Sequence, residues 1–199
     1  VIAQKAREAG VDFVLFGGLT LKAGRQKEHF MQWLQGWAAR SDRSSLIEAY
    51  GKLYAASSQY GEPERTYEQE ISRRFARVAR AYRLQIRIPQ ELLHERVPLY
   101  LEAALLLAQI HDYLSFQGIR RDAYAYAGAA IQKWAHEQKK PYSRKKDFNY
   151  QVIEQAFREL ILSNDIQKIP GIGKTIAGML REFVTTGRIA YYDQLRYWG

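Results

Sequence analysis

Residues 170–175, Pro-Gly-Ile-Gly-Lys-Thr, have the types and spacing that could do chemistry most directly, and that chemistry is the holding of an anion. Gly171 and Gly173 can take positive φ and let a ligand come close to the main chain, because neither carries a Cβ. After the turn, Ile176, Ala177, Leu180, Phe183 and Val184 recur at intervals that fall on one helix face. A helix beginning there leaves unsatisfied N–H donors at the positive end of its dipole. Lys174 adds a mobile charge, and Ile172 and Thr175 complete the candidate contact. Contacts of this kind fix position on phosphates without reading bases, so a nucleic-acid backbone is the expected ligand. An isolated PGxG can equally be a helix turn with no ligand.

A second stretch, GGLTLKAGRQK at 17–27, has similar ingredients. Gly17 and Gly18 leave room for close approach, and Thr20, Lys22 and Arg25 make up a candidate substrate or cofactor loop, with Lys27 next to it. The alternative is an ordinary connection with solvated basic side chains. His29, His94, His111 and His136 are scattered without metal-ligand spacing, so packed or surface roles are expected for them. No serine-hydrolase elbow is present, and GIGKT lacks the G-x-x-x-x-G-K spacing of a nucleotide-binding loop.

The elements that must position these residues are mainly helical. Ile2 to Ala9 read as the tail of a helix, with Gly10 as its cap. Val11, Phe13, Val14, Leu15 and Phe16 then read as a strand buried on both faces of a parallel sheet. With the helix from about Gln26 this makes an α/β unit, whose ligands gather beyond the strand's carboxyl end, at Gly17 and Gly18. A lone strand leaves both edges unpaired, so its neighbours are expected upstream or from a partner. Ser44 or Ser45 could cap a helix reaching Ser58, and a further helix carries Ile71, Phe75, Val78 and Ala79 beside Arg73, Arg74, Arg77 and Arg80. That arginine face is expected to be solvated and paired with Glu68 and Glu70, the alternative being that it tracks phosphates. Residues 99–116 are apolar over most of a helix circumference and should form a central buried helix. Pro170 cannot continue the helix before the hairpin.

Thirty Lys and Arg against 21 Asp and Glu give the 199 residues a net charge of +9, which favours a polyanionic partner. Hydrophobic residues at 47% and charged ones at 26% are ordinary for a globular chain. No apolar run approaches the roughly 18 residues of a membrane span. Cysteine is absent, which excludes disulfides and thiolate metal sites here and fits a cytoplasmic location. The chain starts at Val1, so a piece of a longer protein is expected. The block at 136–147, with Lys139, Lys140, Arg144, Lys145 and Lys146, reads as a solvated linker or a supplementary phosphate contact.

The run Ile169-Pro-Gly-Ile-Gly-Lys-Thr-Ile-Ala177 resembles the helix-hairpin-helix motif, over residues 157–186. With TGRIAYYDQLR after it and RDAYAYAGAAIQKW before it, residues 107–196 resemble the amino-terminal module of family X DNA polymerases. That resemblance implies a DNA partner and a phosphate-holding role for Arg120 and Arg121. Some members cleave abasic sites through a lysine imine. The two matching positions here are Thr175 and Met179, which cannot form one, so that activity is not expected.

AREAGVDFVLFGGLTLKAGRQKEHF, residues 5–30 in the main, is similar to the end of the catalytic barrel in radical S-adenosylmethionine proteins of the spore photoproduct lyase or DNA repair photolyase type. The resemblance implies a [4Fe–4S] cluster and S-adenosylmethionine in the full-length parent, held upstream of Val1, and no cofactor in this stretch. The expected organisation is a terminal βα unit of a TIM-type barrel at 1–40, a helical extension at 41–98 and an all-α DNA-binding domain at 99–199. The expected function is the carboxyl-terminal portion of a DNA-repair-type lyase, the alternative a non-enzymatic DNA-binding protein.

Overall fold

The computed structural model describes residues 1–55, 60–94, 96–139 and 150–196. Among them are ten α-helices and no β-strand, so the architecture is mainly α. The chain forms two units, one of Val1–Val14 with the chain from Arg83 on, the other Leu15–Tyr82. These boundaries differ from the 1–40, 41–98 and 99–199 division expected from the sequence. The loop after Gly17 is bonded to the helices that follow it, while residues 84–98 pack with the carboxyl-terminal helices.

In the first unit α1 (Ile2–Glu8) stops at Ala9, and Gly10 takes φ +66° as the expected cap. The strand expected over 11–16 does not form. Phe13 makes a single parallel bridge to Gln85, and the Val14 N–H donates to the Gln85 carbonyl at 2.8 Å. β-propensity alone does not hold a strand that lacks a ladder on either edge. Val11 and Leu15 accordingly stay exposed.

The second unit holds α2 (Arg25–Ser41), α3 (Ser45–Leu53) and α4 (Arg65–Ala81). Phe30 packs on Tyr50 with ring centroids 5.4 Å apart, and Phe16 stacks on Phe75 at 5.3 Å. Gly61, at φ +73°, accepts the Leu21 N–H through its carbonyl at 2.7 Å. A Cβ at Gly61 would stand 2.2 Å from the Lys22 nitrogen, so glycine is required there by conformation and by contact. The Glu64 carboxylate caps α4 by accepting the Thr66 and Tyr67 N–H groups at 3.0 and 3.3 Å. The helix expected to reach Ser58 stops instead at Leu53, where Tyr54 and Ala55 turn the chain; residues 56–58 lie outside the described residues.

The rest of the first unit comprises α5 (Gln90–Leu93), α6 (Leu99–Phe116), α7 (Asp122–Lys139), α8 (Gln151–Leu162), α9 (Lys174–Thr186) and α10 (Ala190–Arg196). α6 is the buried centre that its all-round apolar pattern predicts, with Ala103, Ala104, Leu106, Leu107 and Ile110 fully enclosed. α7 approaches it closely at Gly128, where a Cβ would stand 2.8 Å from the Ala104 carbonyl oxygen.

Two buried polar residues of α6 fasten the carboxyl end. Gln90 Nε2 donates to Glu102 Oε1 at 2.9 Å and to the Gly187 carbonyl at 2.7 Å. Gln109 Nε2 donates to the Ile88 carbonyl at 3.0 Å and accepts the Tyr192 hydroxyl through Oε1 at 2.9 Å. Buried amides and hydroxyls need such partners, and these pairs fix where the end of α9 and the face of α10 sit on α6. Burial pushes the Tyr192 phenol far above its ordinary value, so it remains a donor.

Candidate nucleic-acid interface

α8 buries Ile153, Phe157 and Ile161, and α9 buries Ile176, Ala177, Leu180 and Phe183, the two apolar stripes legible in the sequence. α8 ends well before Pro170. The helix stops at Ser163, and Asn164 takes the left-handed conformation at φ +66°. A 3-10 turn, Asp165–Lys168, then carries the chain to Ile169, which is extended. The Arg181 guanidinium reaches back from α9 to the Ile161 carbonyl at 3.3 Å and to Asn164 Oδ1. It thereby satisfies an orphan carbonyl at the end of α8 and ties the two helices together.

Ile166, Ile169 and Ile172 are buried pegs that set the height of the turn. Ile172 is therefore a packing residue and not a contact, since its N–H is also bonded, to the Ile169 carbonyl at 3.2 Å. Gly171 and Gly173 on either side of it are exposed, and nothing lies within 4 Å of a Cβ built on either. Gly171 needs to be glycine, with φ +90°, whereas Gly173, at φ −85° and ψ 175°, has backbone that any residue adopts.

Gly173 is the N-cap of α9, and its carbonyl accepts the Ala177 N–H at 2.9 Å. Among the described residues no acceptor is bonded to the N–H groups of Gly171, Gly173, Lys174 or Thr175. The first turn of α9 contains no acidic residue, and Lys174 and Thr175 are exposed. Free donors, a dipole end without a counter-charge and open space over two glycines together make a surface that can hold an anion. Thr175 and Met179 both stand on α9, and neither has an amine.

Arg120 and Arg121 lie before α7 and are exposed. Arg120 Nε pairs with Asp122 Oδ2 at 2.7 Å, and that hydrogen bond raises its pKa. Its charge is partly answered within the chain. The Arg121 carbonyl faces His111 Nδ1 at 3.3 Å. Among the described residues no hydrogen bond or ion pair joins Arg120 or Arg121 to the 170–175 turn, so the structure does not fuse them into one site.

The 17–27 loop is built differently. Gly17, Gly18, Thr20, Lys22 and Arg25 are exposed, but Leu21 is buried and the main chain around it is engaged. The Leu19 carbonyl accepts the Tyr54 hydroxyl at 2.7 Å, and Lys27 Nζ donates to the Tyr54 carbonyl at 2.8 Å. Glu28 stands in the first turn of α2, where it answers that helix's dipole.

The histidines serve locally. His94 Nδ1 lies 3.3 Å from Glu102 Oε2, and His111 and Asp112 face different partners, Asp112 Oδ2 meeting Arg87 Nε at 2.6 Å. Among the described residues no three metal-ligating side chains cluster, and no helix is long and apolar enough to cross a membrane. Lys139 Nζ donates to the Tyr150 hydroxyl at 2.9 Å, while Lys140, Arg144, Lys145 and Lys146 lie outside the described residues. Local spacing could not have shown the Gln90–Glu102–Gly187 fastening or the Arg181 cap, which join distant residues. The chain matches no family model, and the comparisons with curated proteins and with solved structures found no match.

Proposed function

We propose that this chain grips the phosphate backbone of DNA without reading its sequence, through a helix-hairpin-helix made of α8, the 170–173 turn and α9. The observation that carries this reading is the set of exposed, unbonded N–H groups at Gly171, Gly173, Lys174 and Thr175. Each can donate a charge-assisted hydrogen bond to a phosphate oxygen. The excess of basic residues supports a polyanion as the ligand.

The resemblance of residues 5–30 to spore photoproduct lyase-type radical proteins supports a larger setting, in which this module raises the local concentration of damaged DNA for a catalytic barrel. A [4Fe–4S] cluster does not fit the residues of this chain, which has no cysteine to ligate it. The binding step in this reading rests on the hairpin's free donors. The second reading, a DNA-binding protein without catalysis, draws on Phe13, whose single bridge leaves the Gly17–Gly18 loop with no sheet behind it among the described residues.

The test is binding of the Gly173→Asp variant to a short duplex across a salt series. Aspartate is a good N-cap and accepts the helix's free N–H groups, so folding is preserved while the anion site is filled by a carboxylate. Loss of most binding with unchanged helix content supports the hairpin. Unchanged affinity overturns it.

A further inference from the structure

α4 carries five arginines against two glutamates. Pairing of Glu70 with Arg73 and Arg74, at i,i+3 and i,i+4, would neutralise part of that excess. No such pair forms: among the described residues Arg73, Arg74 and Arg77 are exposed and meet no carboxylate. Helical periodicity sets Arg73, Arg77 and Arg80 within an arc of about 60°, with Arg74 about 60° beyond Arg77. The opposite arc is turned inward, where Phe75 stacks on Phe16 and Ala79 is buried. Core packing thus holds the arginines toward solvent.

We infer that Arg73, Arg74 and Arg77 form a second phosphate-tracking face, for the backbone of a nucleic acid, on the unit that lacks the hairpin. The ligand class is shared with the hairpin reading, but the residues and the unit are separate. Guanidinium groups pair bidentately with phosphate oxygens, and they do so without base selection. From residue 73 to residue 77 the helix rises about 6 Å, the axial span of about two phosphate spacings of one strand. A membrane surface is disfavoured because an interfacial helix must bury its apolar face in lipid, and α4 has already turned Ile71, Phe75 and Ala79 toward its own unit.

The test compares R73Q/R74Q/R77Q with R7Q/R40Q/K133Q, which removes the same charge from exposed positions elsewhere. Both are made in the full chain and titrated with a short duplex over a salt series. The face variant should reduce the slope of log affinity against log salt by about 2.7, at roughly 0.9 per lost phosphate contact, and the control by less than about 1. An equal fall in both variants, or none in the first, overturns the inference. If R73Q/R74Q/R77Q loses its helical signal, R77Q alone decides by a slope change of about 0.9. Vesicles containing phosphatidylserine form the last arm: vesicle binding lost in the face variant, with DNA binding unchanged, overturns the inference in favour of lipid. G173D separates this from the hairpin, because loss of binding in G173D with an unaltered slope in the face variant leaves the hairpin standing and removes only the arginine face.

Discussion

The chain contains two glycine-rich basic stretches, 17–27 and 170–175, and only the second leads into a helix with no acid in its first turn. In the first, Leu21 N–H is bonded to Gly61, the Leu19 carbonyl to Tyr54, and Lys27 reaches the Tyr54 carbonyl. Its helix begins with Glu28 in the first turn, whereas α9 begins with no acid at all. Glycine and positive charge therefore do not define an anion site. In the hairpin, buried Ile169 and Ile172 hold the turn up from below, and among the described residues only the Ile172 N–H of those at 171–175 is bonded, to the Ile169 carbonyl. The loop is tied down at two main-chain points, the Leu21 N–H on the Gly61 carbonyl and the Leu19 carbonyl on the Tyr54 hydroxyl.

One aspartate placed in each stretch should separate them most sharply. Gly173→Asp should weaken duplex binding by about 30- to 100-fold, the equivalent of losing a hydrogen bond to a charged group at about 2–3 kcal/mol. Its stability should change by only a few tenths of a kcal/mol, since Gly and Asp are both acceptable N-caps. Gly18→Asp, in open space, should leave both quantities unchanged. Equal losses in the two variants would mean that net charge, and not the free donors, governs affinity.

The supports of the two regions can be removed in the same spirit. Arg181→Ala deletes the bonds to Ile161 and Asn164 at the end of α8 and should cost about 1–2 kcal/mol of unfolding free energy. DNA affinity should fall with it, because the hairpin loses its brace. Tyr54→Phe removes the hydroxyl from the Leu19 carbonyl and should cost about 1 kcal/mol. Urea melts and binding isotherms of both variants decide the matter: affinity should be unaffected in Tyr54→Phe, and a loss there would give the loop a role in binding.

Much of the hairpin was legible because its signals are local. Gly171 and the stripe from Ile176 to Phe183 each follow from periodicity or from what a single residue permits. The all-round apolar run of α6 announced its burial for the same reason. The strand expected over 11–16 failed because β-formers need a partner ladder, and only Gln85 supplies a bond. Pro170 cannot continue α8, yet the helix has already stopped six residues before it, at Asn164, with the help of an arginine that comes 17 positions later. Gln90 bonded to Gly187 and Gln109 bonded to Tyr192 span 97 and 83 residues, beyond any reading by spacing. The Ile172 side chain fell on the wrong side of the turn because residue type alone does not say which member of Gly-Ile-Gly points inward.

First-turn charge offers a smaller effect. Thr175→Glu adds an acid where α9 has none and should lower duplex affinity about fivefold, from a dipole and charge term of about 1 kcal/mol. Glu28→Gln removes the acid from α2 and should leave duplex affinity as it was, since the loop's other groups stay engaged. Fluorescence titration against one duplex compares them directly. A gain of binding in Glu28→Gln would show that its carboxylate alone had silenced the loop.

The smallest effect lies in acid stability. Hydrogen bonds from the Arg196 guanidinium, at 2.7 and 2.9 Å, hold the Glu91 carboxyl below the ordinary glutamate value of 4.5. A depressed carboxyl contributes stability that is fully present above that ordinary value and disappears as pH falls through the lower folded value. Glu91 is 63% exposed, so solvent screening limits the contribution to about 1 kcal/mol or less. Glu91→Gln should therefore lower stability at neutral pH by that amount and flatten the decline below pH 4.5. Duplex binding at neutral pH should be unchanged, because the pair anchors α10 and touches none of the free donors at 171–175. Denaturant midpoints taken at several acidic pH values read the flattening. A variant that loses DNA affinity while keeping its acid profile would mean that the carboxyl end of the chain contributes to the grip directly.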